Sequence, residues 1–217
     1  IYIIKSVPTL HLRLEHGRLE SQCVKNQLTV GIPMALQFSI TAIGSMIMQS
    51  ANNGLGSMYV SAFTAASRIK QFTLCPFDAF SSAASVFCSQ NFGAGQADRI
   101  RQGLKRGVAV GVIYGIFAGI LMITAGRVLS MIFLGTEAVG ALDASAKYLS
   151  CMGLFYWSLG ILTVTRMVTQ GLGYSGRTVF SGATEMVARA VVSLGFVGTF
   201  GYTAICFAYQ AAWIAAC

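Results

Sequence analysis

Charge is what this sequence has least of. Only 10% of its 217 residues are Asp, Glu, Lys or Arg, where a soluble domain carries about 25%, so there is too little polar surface to face water. Histidine is reduced to His11 and His16, and no carboxylate or cysteine cluster converges on either, which argues against a metal centre. The six cysteines, Cys23, Cys75, Cys88, Cys151, Cys206 and Cys217, include no C-x-x-C pair. They read as small apolar packing residues, not as a disulfide or metal framework. There is no Ser-His-Asp set and no pair of acid-base carboxylates, which disfavours a polytopic membrane enzyme. The dyad alternation of a β-barrel, in segments of about ten residues, is missing too.

What remains is long apolar runs. The chain is 55% hydrophobic with 24 glycines. A span needs roughly 20 apolar residues to cross about 30 Å of hydrocarbon, so a chain of this length accommodates about six. The expected fold is all-α, a polytopic membrane helix bundle. A net charge of +8 would suit nucleic acid if it formed a basic face with interleaved polar surface, but here it clusters between apolar runs, so no nucleic-acid partner is expected. The chain starts at Ile1 and stops at Cys217 inside an apolar run, the pattern of a fragment of a longer reading frame.

Residues 1–27 read as the tail of a preceding span and a polar connector carrying Arg13, Glu15, Arg18, Glu20 and Lys25. The lobe proper is residues 28–217, with spans expected at about 28–51, 58–91, 104–126, 146–170, 178–200 and a truncated 202–217. From Asn26 to Ser67 there is no charge, and Asn52-Asn53-Gly54-Leu55-Gly56 supplies the turn residues that divide this stretch. Pro33 is expected in the first turn of its helix, where the missing donor is not needed. Pro76 is expected to kink the second span and free a carbonyl. Whether that span starts near Met58, taking Arg68 into the membrane, or near Gln71 is open on the residues alone.

Glycines 103, 107, 111, 115 and 119 recur every fourth residue in the third span. Each step advances about 400°, so the row drifts roughly 40° per step and forms a slanted ridge along which another helix can pack closely. In the fourth span Phe155-Tyr156-Trp157 is a packing cluster or the wall of a flat apolar site. The glycine-rich turn Gly171–Gly176 lacks a Walker lysine and a preceding strand, so it is not a phosphate loop. Basic residues fall mainly on one side: Arg99, Arg101, Lys105, Arg106 and Arg177 with the N-terminal connector. Positive-inside bias puts that side in the cytoplasm.

Ionisable groups within spans are costly and mark function by default. Arg189 lies about 18 Å along the helix from Arg177, with Glu185 one turn before it on the same face; the two can neutralise each other. Asp78, beside Pro76, is a second candidate, because a broken helix with free carbonyls and a carboxylate is how transporters hold cations. Gln37, Gln49, Asn52 and Asn53 could line the same cavity.

The motifs Gly31-Ile32-Pro33-Met34-Ala35-Leu36-Gln37, Asn53-Gly54-Leu55-Gly56 and Gln90-Asn91-Phe92-Gly93-Ala94-Gly95, the last followed by Asp98-Arg99-Ile100, resemble the C-terminal half of multidrug and toxic compound extrusion (MATE) transporters. Gly171–Gly176 and the Glu185/Arg189 helix are similar to its later spans. The resemblance implies one lobe of a twelve-span protein of two six-span lobes around a central cavity, exporting organic cations or drugs in exchange for sodium or protons, with no other cofactor. The implied partners are the substrate, membrane lipids and an N-terminal lobe of the same chain; the implied location is the plasma membrane, as in a bacterial inner membrane. It also favours a second span beginning near Met58. The candidate substrate- or ion-binding residues are then Glu185, Arg189, Asp78, Gln37 and Asn53 from the reading of the spans, with Arg68 added by the Met58 start. Two carboxylates found in some members are absent here: Gln37–Thr41 contains no acid, nor does the fourth span from Tyr148 to Thr165. A related flippase for lipid-linked saccharides would use the same bundle with a more cationic cavity.

Overall fold

The computed structural model describes residues 20–217, so residues 1–19 of the expected connector, with His11 and His16, lie outside the described residues. Those residues form α1 (Ser21–Asn53), α2 (Ser57–Gly93), α3 (Ala97–Leu134), α4 (Val139–Gly171), α5 (Ser175–Gly195), the single turn α6 (Val197–Phe200) and α7 (Tyr202–Ala216). Glycines with positive φ stand where the chain reverses: Gly56, Gly95, Gly135, Gly173 and Gly201. Side chains with a Cβ rarely adopt that region.

Three helices, α1, α3 and α4, are long and apolar enough to cross a membrane. α2 and α5 have the length, but they carry the polar and charged residues that matter below. Large apolar side chains stand exposed along the bundle, among them Ile32, Ile113, Phe117, Ile132 and Phe180. Water would not tolerate so wide a surface, whereas lipid requires it.

α3 packs most extensively against α4, α2 lies on α4 and α3, and α1 lies on α5; α7 backs α5 and α4, while consecutive α1 and α2 meet in few places. The core centres on Phe77, Met122, Tyr148, Met152, Tyr156 and Ile205, all fully buried. Phe77 meets the edges of Tyr114 and Tyr156 at 4.9 and 5.6 Å. The Phe155-Tyr156-Trp157 cluster divides: Tyr156 is interior and its hydroxyl pairs with Thr73 Oγ1 at 2.8 Å, while Trp157 is 43% exposed on the outer surface.

The glycine ridge has two partners. A Cβ on Gly103 would meet Phe87, and one on Gly107 would meet Ala84, both on α2; Gly111, Gly115 and Gly119 instead abut backbone of Gly160, Tyr156-Trp157 and Gly153 on α4. The drift of about 40° per step carries the row from one neighbour to the other.

Four expectations are corrected, the first being that α4 starts at Val139, ahead of the expected 146. α1 begins at Ser21, which puts Pro33 in the helix interior; the carbonyl one turn back, at Thr29, therefore has no amide donor. α3 starts at Ala97 and runs to Leu134, past the expected 104–126, because the basic first turns are helical although they are too polar for lipid. α5 stops at Gly195, short of residue 200. The Gly195, Gly198 and Gly201 spacing ends it, with Gly201 at φ +54° turning the chain into α7. α2 runs as one helix through Pro76 from Ser57, so Arg68 is within it.

Candidate functional site

The buried charge sits where α1, α2, α4, α5 and α7 converge. Glu185 and Arg189, on α5, are 3% and 2% exposed. Their four-residue spacing stacks them on one helical face, and Arg189 Nη2 pairs with Glu185 Oε1. The other carboxylate oxygen, Oε2, accepts from Arg166 Nη2 of α4 at 2.9 Å. Arg166 also donates to Ser181 Oγ at 2.9 Å. Glu185 thus bridges two guanidinium groups.

Arg189 continues onto α1, donating from Nη1 to the Thr41 carbonyl at 3.1 Å and to Ser45 Oγ at 2.9 Å. It can reach because two glycines bring α1 and α5 together: a Cβ on Gly44 would lie 3.1 Å from Met186 Cα, and one on Gly182 would lie 2.9 Å from Gln37 Cγ. Tyr209 of α7 then meets two cations, with the Arg189 guanidinium 4.4 Å from its ring centroid and Lys70 Nζ of α2 3.7 Å from it. An aromatic face attracts such cations without neutralising them.

A neutral polar seam runs from the cluster toward the N-terminal end of α5. Gln37 is 1% exposed, and its Oε1 accepts from Gln170 Nε2 at 2.8 Å; the same nitrogen lies 3.1 Å from Thr178 Oγ1. Arg166 Nε, Arg189 Nε, Thr41 Oγ1 and Gln170 Oε1 are buried with no protein hydrogen-bond partner. The cluster therefore keeps unspent hydrogen-bonding capacity and an excess of positive charge, with Lys70, Arg166 and Arg189 against Glu185.

Of the residues singled out from sequence, Glu185, Arg189 and Gln37 share this seam. Asp78, Arg68 and Asn53 do not join it. Asn53 is exposed at the end of α1, accepting from Gln49 at 3.3 Å, whereas its neighbour Asn52 is buried and donates to the Tyr59 carbonyl across the turn. Arg68 and Asp78 are exposed on α2. They belong to a row, Thr64, Arg68, Gln71, Cys75, Asp78 and Ser82, every member of which is exposed. At 100° per residue these six fall within about 80° of one another, opposite the packed face of α2.

Arg166, Tyr209 and Ser45 join the site without having been singled out from the sequence, whereas Lys70 is one of the cations that the flippase reading puts in the cavity. Arg166 had a legible signal, being the one charge from Tyr148 to Gly171, and Lys70 is charged within a span. Tyr209 and Ser45 carry no local signal, since only tertiary packing brings them to the arginines. Among the described residues no cluster could hold a metal ion.

A family model described as MatE matches residues 33–195. A curated relative, the probable multidrug resistance protein YoeA of Bacillus subtilis (strain 168), is 23% identical over 106 residues, covering 49% of this chain and 22% of that protein. Among solved structures, a MATE in complex with MaL6 superposes with a TM-score of 0.90 at 16% identity, over 99% of this chain and 50% of its own. An outward-facing multidrug resistance MATE family transporter of the MOP superfamily gives 0.82 at 15% identity, over 88% and 43%. A MOP superfamily transporter from Pyrococcus furiosus, whose binding pocket is described as having reverse polarity, gives 0.81 at 15%, over 88% and 42%. Likeness at these identities establishes the fold, and the chain spans half or less of the length of these relatives. The family model covers most of the chain, from Pro33 to Gly195, and on that match the chain belongs to the MatE family.

Proposed function

We propose that this chain is one lobe of a membrane exporter, working with a first lobe of the same protein to carry organic cations or drugs across the plasma membrane in exchange for sodium or protons. The observation that carries this is the exposed polar row on α2. Charged and hydrogen-bonding side chains at these depths cannot face lipid without a cost of about 2.5–3.5 kcal/mol per charge, so the row faces a water-filled cavity or the other lobe. Asp78 is the acid on that wall and the candidate to bind a coupling cation. Glu185 is committed to two arginines and holds the helices behind the wall in register. The names of the relatives, a probable multidrug resistance protein and a multidrug resistance MATE transporter, support drug export, and the Bacillus relative is consistent with a bacterial plasma membrane.

The test is efflux of a cationic dye from cells making the full-length protein. Asp78→Asn lowers efflux severalfold at unchanged protein level, and a sodium or a proton gradient, whichever is the coupling ion, restores wild-type but not variant export. Unchanged efflux removes Asp78 from the mechanism.

The excess of Lys70, Arg166 and Arg189 over Glu185 favours a second reading, a flippase of the same superfamily moving a lipid-linked saccharide through its pyrophosphate. Binding of a lipid pyrophosphate without binding of organic cations would replace the first reading by this one.

A further inference from the structure

A groove of about 410 Å³ lies between α2 and α3 at the end of the bundle that charge bias assigns to the cytoplasm. Its α2 wall is Phe80, Ala83 and Phe87; its α3 wall is Gly103, Gly107 and Val110. Arg99, Gln102 and Arg106 border its polar end. Gly103 and Gly107 set its shape, because a Cβ at either would strike Phe87 or Ala84 at 2.5 and 2.9 Å. The helices meet there without filling the outer furrow.

From this groove we infer a specific binding site for one anionic phospholipid, its phosphate between Arg99 and Arg106 and an acyl chain laid along α3. The register of α3 argues for a lipid over any soluble anion. At 100° per residue, Arg99, Gln102, Arg106, Val110, Ile113, Phe117 and Ile120 fall within about 80° of one another, and the apolar four are all exposed. From Arg106 to Phe117 the helix rises about 16 Å, close to half of a hydrocarbon core of about 30 Å. A cationic cap over an exposed apolar stripe of leaflet depth matches a headgroup above its chain. Neither arginine has a carboxylate within ion-pair distance among the described residues; Arg99 donates only to Gln96 Oε1, at 3.3 Å. Asp98, the nearby acid, is turned about 120° away from Val110 on the helix. The groove is also distinct from the transport wall, since Phe80, Ala83 and Phe87 lie about 100–160° around α2 from the polar row.

The test uses the purified full-length protein in neutral detergent, titrated with phosphatidylglycerol or phosphatidylcholine and read by native mass spectrometry. Wild type retains phosphatidylglycerol in preference to phosphatidylcholine. Arg99→Gln/Arg106→Gln weakens that retention roughly 10- to 30-fold, the effect of neutralising two arginines beside an anionic headgroup. Val110→Trp, an exposed position that keeps every charge, weakens it as well by occupying the acyl path. Arg101→Gln/Lys105→Gln removes the same charge about 140–180° around α3 from Val110 and leaves retention intact. Equal retention of the two lipids, equal losses in both double variants, or displacement of the lipid by millimolar inorganic phosphate would each overturn the site.

Discussion

At the residue scale, Glu185 is bound to both neighbours at once. Each carboxylate oxygen takes one guanidinium, so neutralising it leaves two buried cations without a counter-charge. Removing one partner of a buried pair costs about 3–5 kcal/mol, far more than the intact pair contributes. Glu185→Gln should therefore destabilise the folded protein strongly and Arg189→Gln less, since Glu185 keeps its pairing with Arg166, and the double variant by less than their sum, with a coupling of about 1–3 kcal/mol. Thermal or denaturant unfolding of the four proteins in detergent measures it, and losses additive within about 0.5 kcal/mol would mean the pair does not act as a unit. The pairing of Glu185 with Arg189 was legible because four residues on a helix is a local relation. The bridge to Arg166 was not, since nothing in the sequence states that α4 and α5 bring residues nineteen apart within hydrogen-bond reach. For the same reason the candidates read from the sequence included Asn53, which is exposed, and not its buried neighbour Asn52.

At the scale of elements, α3 and α4 are joined backbone to backbone. Gly153 and Gly160 answer Gly119 and Gly111, so that a Cβ on either side runs into the other's carbonyl. Such contacts give no room for a side chain to turn aside. Gly115→Val and Gly160→Ala are expected to cost about 1–3 kcal/mol each, as overpacking of a tight interface does. In a chain of this size that lowers the melting temperature by about 2–4 °C per kcal/mol. Gly31→Ala and Gly176→Ala, with nothing within 4 Å of the new Cβ, leave it unchanged or raise it slightly, because alanine loses less backbone entropy in a helix. Comparable losses at all four positions would show that glycine matters to these helices for reasons other than close approach. The ridge and its drift are properties of one helix and could be read from spacing. Its change of partner from α2 to α4 depends on where three helices sit, and so did the ends of α1 and α3, because charged turns prolong a helix beyond the apolar stretch that marks a span.

For the molecule as a whole, α2 presents three different surroundings around its circumference. One side packs through Phe77, Ser81 and Ala84 into the core, with Ser85 donating to the Met167 carbonyl and Ser89 to that of Gly171, each at 2.8 Å. Another borders the apolar groove with α3. The third is the row from Thr64 to Ser82, polar and unpacked by this lobe. A helix of this kind is stable in a membrane only if water or a second lobe meets that third side. Cys75 stands in the middle of the row and is exposed, while Cys88 and Cys206 are buried. Thiol reagents react with the thiolate, which forms only where water or a cation can stabilise it. In full-length protein carrying Cys75 as its sole cysteine, a charged methanethiosulfonate should label it readily, and a transported cation should slow the labelling by occupying the cavity. Variants retaining only Cys88 or only Cys206 should stay unlabelled under the same conditions. If Cys75 resists the charged reagent but accepts an apolar maleimide, its surroundings are lipid, and the cavity must be sought on another face of the bundle.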